Sequence, residues 1–288
     1  MHDELIADNK ANYESIKLCL NQYITKWELS DIEILDNKRN SLVLKCNSAI
    51  YGNVIIKQQM DTSYIKSEYN ALKEYNQSRF CKVFDADLEH GVLIEEQISP
   101  GTELRKVKSL DERLMVFCTL FKDLHIFPKN PEIYPSYLDW VSNAMNYLEG
   151  LDNYRDLYIH MKAAKMICTE LFFKYPQKML LHGDLHHDNI LLNHNGSYTI
   201  IDPKGVLGHP IFDLPRFILN EMEDEITAEL YDKIIYVIDI LSQHLNIPLK
   251  DLKQLFYMEV SLSEAWNAES GDCVKMENII FAHRILNS

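Results

Sequence analysis

Between Leu180 and Leu192 the chain reads LLHGDLHHDNILL, three histidines, two aspartates and an asparagine framed by leucines. A further acid, Asp202, follows an Asn195-Gly196 pair. Asn-Gly flanked by apolar runs is a strong signal for a two-residue hairpin turn. The segment NILLNHNGSYTIID is therefore expected to fold back and bring Asp202 to the edge where Asn189 begins. A carboxamide and a carboxylate converging there suit a hard cation such as Mg²⁺ carrying phosphates. Asp184, upstream of Asn189, could then hold and orient a nucleophilic hydroxyl. Two other readings compete. His182 and His186, spaced i, i+4, could bind zinc on a helix, but Gly183 and Asp184 disfavour a helix and no cysteine lies nearby. The stretch could also be a polar turn between two apolar segments.

The spacing D-x-x-x-x-N, with an aspartate beyond a hairpin, matches the phosphoryl-transfer template of kinases. That template also needs a lysine on the third strand and a glutamate on the next helix. NVIIK ends in Lys57, and Glu68 lies in the helical stretch that follows. Alone, each would read as a solvated charge; their order beside Asp184, Asn189 and Asp202 gives them weight. His125, ahead of Pro128, reads as a buttress for the loop. No glycine precedes Gly52, so a glycine-rich phosphate loop is missing. The turn DNKRNS would have to serve through backbone N–H groups and the Ser41 hydroxyl. No G-x-x-x-x-G-K-[ST] occurs, which excludes a P-loop enzyme.

The elements that must position these groups change character midway. Tyr13, Ile16, Leu20 and Ile24 have helical spacing. The runs IEIL, SLVLKC, NVIIKQ, CKVFDAD and GVLIEEQI read as strands, with SAIYGN as a hairpin turn at Gly52. A helix interrupts them at DTSYIKSEYNALKEYNQS. After Pro100-Gly101 helices dominate. SLDERLMVFCTLFKDLH opens with Ser109 and Glu112 in capping-box spacing, and further helices are expected around Tyr137–Leu148, Tyr154–Phe173 and through 224–287. The expected class is α+β: a small lobe, 1–98, with an antiparallel sheet and a helix, then a larger, mainly helical lobe, 99–288.

Composition sets the remaining bounds. The 288 residues are 47% hydrophobic and 25% charged, an ordinary globular mixture. No apolar run approaches the roughly 18 residues of a membrane span, and MHDELIADNK has no apolar core of a secretion signal. Six scattered cysteines without a C-x-x-C pair read as reduced core residues of a cytoplasmic protein. A net charge of −14 opposes binding to nucleic acid or an anionic membrane and favours a cationic ligand, although many ordinary proteins are as acidic.

The chain resembles the aminoglycoside phosphotransferases, small-molecule relatives of protein kinases. Within them it is most similar to the aminoglycoside/hydroxyurea resistance kinases, the group that includes streptomycin 6-phosphotransferases. HGDLHHDNILL resembles the catalytic loop, with Gly183 where protein kinases have arginine. IDPKGVLGHPIFDL resembles the metal-binding segment, LIEEQISPG the lobe connector, FKDLHIFP the helix end behind the loop, and VSLSEAW a late helix. The resemblance implies a bilobal protein-kinase-like fold using ATP, or alternatively GTP, with Mg²⁺. It assigns the catalytic base to Asp184, metal to Asn189 and Asp202, and the phosphate clamp to Lys57 with Glu68. Glu95, Glu96, Gln97 and Ile98 would offer backbone groups to the adenine edge, and Asp213 would brace the catalytic loop, with His125 and His182 as support.

Two departures bear on substrate choice: Gly208-His209-Pro210 replaces the usual Gly-Asp-Pro, and Asp188 stands where glycine is common. A cationic aminoglycoside would look for acids on the helical lobe. Glu221, Glu223, Asp224 and Glu225 form one run, weighed against a solvated face; Glu264, Glu269 and Asp272 surround Trp266, which invites a cation–π contact. The implied function is phosphorylation of a hydroxyl on a small molecule, either an aminoglycoside such as streptomycin or else hydroxyurea, giving antibiotic resistance. The alternatives are a kinase for another hydroxylated metabolite and a nucleotide-binding module without turnover. The oligomeric state is left open.

Overall fold

The structure, a computed structural model, describes residues 21–38, 40–76 and 78–288. The helix expected through Tyr13, Ile16 and Leu20, and Cys19, lie outside them; 21–26 are helical. The chain divides into two compact units, Met1–Gly101 with Asn193–Thr199, and Thr102–Leu192 with Ile200–Ser288.

The first unit is built on strands β1 (Leu29–Lys38), β2 (Ser41–Ser48), β3 (Gly52–Gln59), β4 (Val83–Asp87) and β5 (Val92–Glu96), in the antiparallel order β1-β2-β3-β5-β4. Side chains along β2 alternate between buried and half-buried, the period of a sheet with one covered face. Leu42, Leu44, Val54, Ile56, Val92 and Ile94 pack with Tyr23 and Trp27 as its core. Gly52 holds φ at +81° at the β2–β3 turn, a left-handed conformation that favours glycine. Helix α1 (Thr62–Tyr75) starts at Asp61, whose carboxylate accepts from the Ser63 N–H, and ends at left-handed Asn76.

The second unit is mainly helical: α2 (Leu110–Phe121), α3 (Tyr137–Leu148), α4 (Arg155–Lys174), α5 (Leu214–Leu219), α6 (Ala228–Leu245), α7 (Leu249–Ser270) and α8 (Met276–Leu286). At α2 only half of the capping box is present, the Ser109 hydroxyl accepting from the Glu112 N–H. The full reciprocal box sits at α3, between Ser136 and Asp139. The stretch expected to be helical from 224 onward is cut at left-handed Asn246 with Pro248 behind it, and again at Gly271. Helix α7 forms the core of this unit, with α4, α5 and α8 packed on it. Strand β6 (Pro100–Glu103) follows β5 along the chain; strands β7 (Met179–Leu181) and β10 (Val206–Gly208) pair antiparallel, an element absent from the sequence expectations. The expected hairpin follows as β8 (Ile190–Asn193) and β9 (Tyr198–Ile200). Cys46, Cys81, Cys118 and Cys168 are buried and reduced, and Cys273 is exposed. No helix among the described residues is long and apolar enough to cross a membrane.

Candidate active site

The second unit holds the histidine- and aspartate-rich loop between β7 and β8. Backbone bonds tie the loop to the segment after the hairpin: the Ile201 N–H donates to the Asn189 carbonyl at 3.0 Å, and the Lys204 N–H to the His182 carbonyl at 2.7 Å. Asp202 lies between these anchors with φ at +60°, a left-handed conformation that non-glycine residues adopt rarely. The ladder thus sets Asp202 one residue beyond the position opposite Asn189.

Asn189 is buried, and its Nδ2 donates to the Asp184 carbonyl at 2.9 Å. This bond orients the carboxamide and leaves Oδ1 as its remaining acceptor atom. A carboxamide oxygen and a carboxylate make a hard-cation donor pair, and the residues present fit Mg²⁺. Zinc does not suit them: His182 and His186 lie outside any helix, and His182 uses both ring nitrogens within the protein.

The two hydrogen bonds of His182 fix its tautomer. Nδ1 accepts from the Asp184 N–H at 3.0 Å, so Nε2 carries the proton and donates to the Ile201 carbonyl at 2.8 Å. Burial pushes the His182 pKa down despite the acids nearby, which keeps the ring neutral. One imidazole therefore bridges the loop of Asp184 to the segment of Asp202.

Behind it lies Asp213, fully buried. It accepts from the N–H groups of His182 and Gly183, both at 2.7 Å, and is 2.8 Å from His125 Nε2. Burial alone would raise its pKa, but the His125 hydrogen bond and charge together with these donors hold it below the usual carboxylate range. Gly183 has φ at +81°, and a Cβ there would come within 2.7 Å of Trp140 Cη2 and 3.0 Å of Val206 Cγ1. Gly183→Ala is expected to lower stability by roughly 2–4 kcal/mol, combining left-handed strain with overpacking; a thermal melt checks this.

The carboxylate of Asp184 lies 3.4 Å from Arg216 Nε and 3.7 Å from His186 Nε2. Arg216 also reaches Glu259 at 2.7 Å, and Glu259 accepts a short hydrogen bond from the Tyr137 hydroxyl. Flanked by two carboxylates, the guanidinium stays protonated, its pKa raised although burial opposes it. Sequence reasoning missed this buried chain; the available signal was a lone acid, Glu259, inside the apolar run LFYMEVSL.

Several expected ligand contacts are made by the protein itself. Glu264 is turned inward and accepts from the Lys275 N–H and from Asn267 and Asn278, which fixes the α7–α8 connection. Burial with three internal donors engages both of its oxygens within the protein. The guanidinium of Arg216 sits 5.2 Å over the Trp266 ring, so the cation–π contact is internal. Asp188 is held by Arg105 through Nε and Nη2, the latter at 2.9 Å. Glu269 is exposed at the end of α7. His209, in place of the expected aspartate, caps the turn before Asp213 by accepting from the Ile211 N–H, and its ring lies against Tyr175.

Within the acidic run, Glu221 is only 4% exposed and meets Arg113 through two bonds of 2.8 Å and His187 Nε2 at 2.7 Å. Burial raises its pKa, but the His187 and Arg113 hydrogen bonds outweigh this and bring it to about 2. A depressed carboxyl stabilises the fold above its unfolded pKa of 4.5 and loses that contribution as pH falls toward about 2. Its size is about 3 kcal/mol. In urea titrations, Glu221→Gln should trail wild type most at pH 7 and by roughly half as much at pH 3.

In the first unit, Lys57 Nζ is 2.6 Å from Glu68 and 2.7 Å from Glu95. The buried Glu95 side chain shares the lysine with Glu68, a contact the sequence reading, which concerned its backbone, did not include. The Glu96 N–H donates to the Lys82 carbonyl and that of Gln97 to Asn53, so sheet pairing takes two donors expected to face an adenine. Ile98 is buried, and the Ser41 hydroxyl accepts from Gln59 Nε2 at 3.0 Å.

A sequence profile of the aminoglycoside/hydroxyurea antibiotic resistance kinases matches residues 26–271. Streptomycin 6-kinase of Streptomyces griseus is 23% identical over 255 residues, covering 86% of this chain and 81% of its own. Streptomycin 6-kinase of Streptomyces glaucescens is 22% identical over 275 residues, covering 92% and 87%. Among solved structures, a choline kinase from Streptococcus pneumoniae superposes with a TM-score of 0.69 at 14% identity, covering 95% of this chain and 99% of that one. These likenesses establish a protein-kinase-like α+β fold and a phosphotransferase with an alcohol group as acceptor. The chain belongs to the aminoglycoside/hydroxyurea antibiotic resistance kinase family.

Proposed function

We propose that this enzyme transfers the γ-phosphoryl group of ATP to a hydroxyl of streptomycin or a related aminoglycoside. The observation that carries the reading is the loop in which Asn189 is oriented by the Asp184 carbonyl while left-handed Asp202 is held beside it. Asp184 accepts the hydroxyl proton as the acceptor oxygen bonds to the γ-phosphorus; the bond to the β–γ bridging oxygen breaks and ADP leaves. Asn189 Oδ1 and the Asp202 carboxylate would hold Mg²⁺, which when bound draws charge from the phosphate oxygens. Lys57, positioned by Glu68 and Glu95, is assigned to the phosphates. Arg216 fixes the direction of the Asp184 carboxylate. Most of the acceleration in this scheme comes from positioning and fixed charge.

A second reading has a specific observation in its favour. Glu264 is engaged internally and Trp266 already carries Arg216, which removes two groups expected to meet a cationic ligand. That favours a less cationic hydroxylated acceptor. The two separate by measuring ADP release with ATP and Mg²⁺ across streptomycin, other aminoglycosides, hydroxyurea and uncharged polyols. Stimulation by streptomycin supports the first reading; stimulation by the polyols alone replaces it with the second.

A further inference from the structure

The outward face of α4 carries large apolar side chains where a solvated helix would be polar throughout. Ile159 is 57% exposed, Met166 66% and Phe173 83%, with exposed Lys162 and Glu170 between them. The steps of three and four keep all five on one line of the helix. The opposite side, with Leu157, Met161, Ala164, Cys168 and Leu171, is buried in the second unit and fixes which side faces out. Three large apolar side chains in one row exceed the scatter of single exposed hydrophobics found on ordinary surfaces.

The row reads the same from both ends. About Met166, Ile159 mirrors Phe173, apolar against apolar, and Lys162 mirrors Glu170, cation against anion. A two-fold axis through Met166 would set two antiparallel copies of α4 so that Met166 meets Met166, Ile159 meets Phe173, and Lys162 meets Glu170 twice. Self-complementarity of this kind is what a two-fold interface requires, because each residue must suit its mirror on an identical surface. An unrelated partner imposes no such mirror pattern. Methionine and phenylalanine are also enriched in interface cores. Lys174, at the end of the helix, is already bound by Asp251 at 2.7 and 2.9 Å and does not compete for Glu170.

We propose that the outer face of α4 pairs with its own copy, making this kinase a two-fold dimer. The helix is roughly 30 Å long, so helix-on-helix contact gives an interface at the small end of the stable range. The proposal does not depend on the acceptor.

Sedimentation velocity of the full chain across low to high micromolar concentrations tests it. A concentration-dependent dimer is expected. Lys162→Glu and Glu170→Lys each set like charges opposite one another twice, and each should weaken the dimer roughly tenfold. Mixed in equal amounts, the two variants oppose unlike charges in every mixed pair and should regain wild-type strength. Both positions are exposed, so matching circular dichroism spectra separate loss of pairing from loss of fold. A wild-type monomer at every concentration overturns the proposal. So does a dimer indifferent to both substitutions, which would pair through another surface.

Discussion

Asp184→Asn is expected to reduce phosphate transfer about 10²–10⁴-fold, the usual contribution of a positioned general base. The carboxamide keeps the shape of the side chain but cannot take the hydroxyl proton. The backbone of residue 184, which anchors to His182 Nδ1 and receives Asn189 Nδ2, is untouched by the change. Arg216 retains Glu259 at 2.7 Å, so no buried cation is stranded. The melting temperature should therefore move little while kcat falls. Equal kcat in variant and wild type would remove Asp184 from the reaction.

Asp213→Ala should act on the fold first. It removes the acceptor for two buried N–H groups, those of His182 and Gly183, and for His125. A buried donor left without a partner costs about 1–3 kcal/mol, and losing one member of a buried charge network about 3–5 kcal/mol. Because the three donors share one site, these costs are not additive. The expected loss is about 3–5 kcal/mol in urea unfolding. Activity should fall alongside stability, since His182 then no longer fixes the loop of Asp184 against the segment of Asp202. A variant as stable as wild type would mean that the loop is held from elsewhere.

Local patterns carried most of the fold. The alternation in SLVLKC, the Asn195-Gly196 turn and the stripe of Leu114, Phe117 and Phe121 each announce their element within a few residues. The linear order of Lys57, Glu68, Asp184, Asn189 and Asp202 was likewise readable in advance. Pairings set by the tertiary fold were not. Strands β7 and β10 have three residues each, too few to show a period. Glu264 looked like a surface acid beside Trp266 until the Lys275 N–H and two asparagines closed on it. Glu95 was read for its backbone in a connector, and the contact of its carboxylate with Lys57 across adjacent strands had no local signal. Arg216 and Glu259 lie 43 positions apart in numbering, and nothing local to either announces the other.

The most direct measurement is ³¹P NMR of the products after incubation with ATP, Mg²⁺ and streptomycin. The expected spectrum contains ADP and a phosphate monoester carried by the antibiotic, both formed about 10²–10⁴-fold more slowly by Asp184→Asn at the same enzyme concentration. ADP with inorganic phosphate and no monoester, or a monoester produced equally fast by Asp184→Asn, would contradict transfer to an alcohol at this loop.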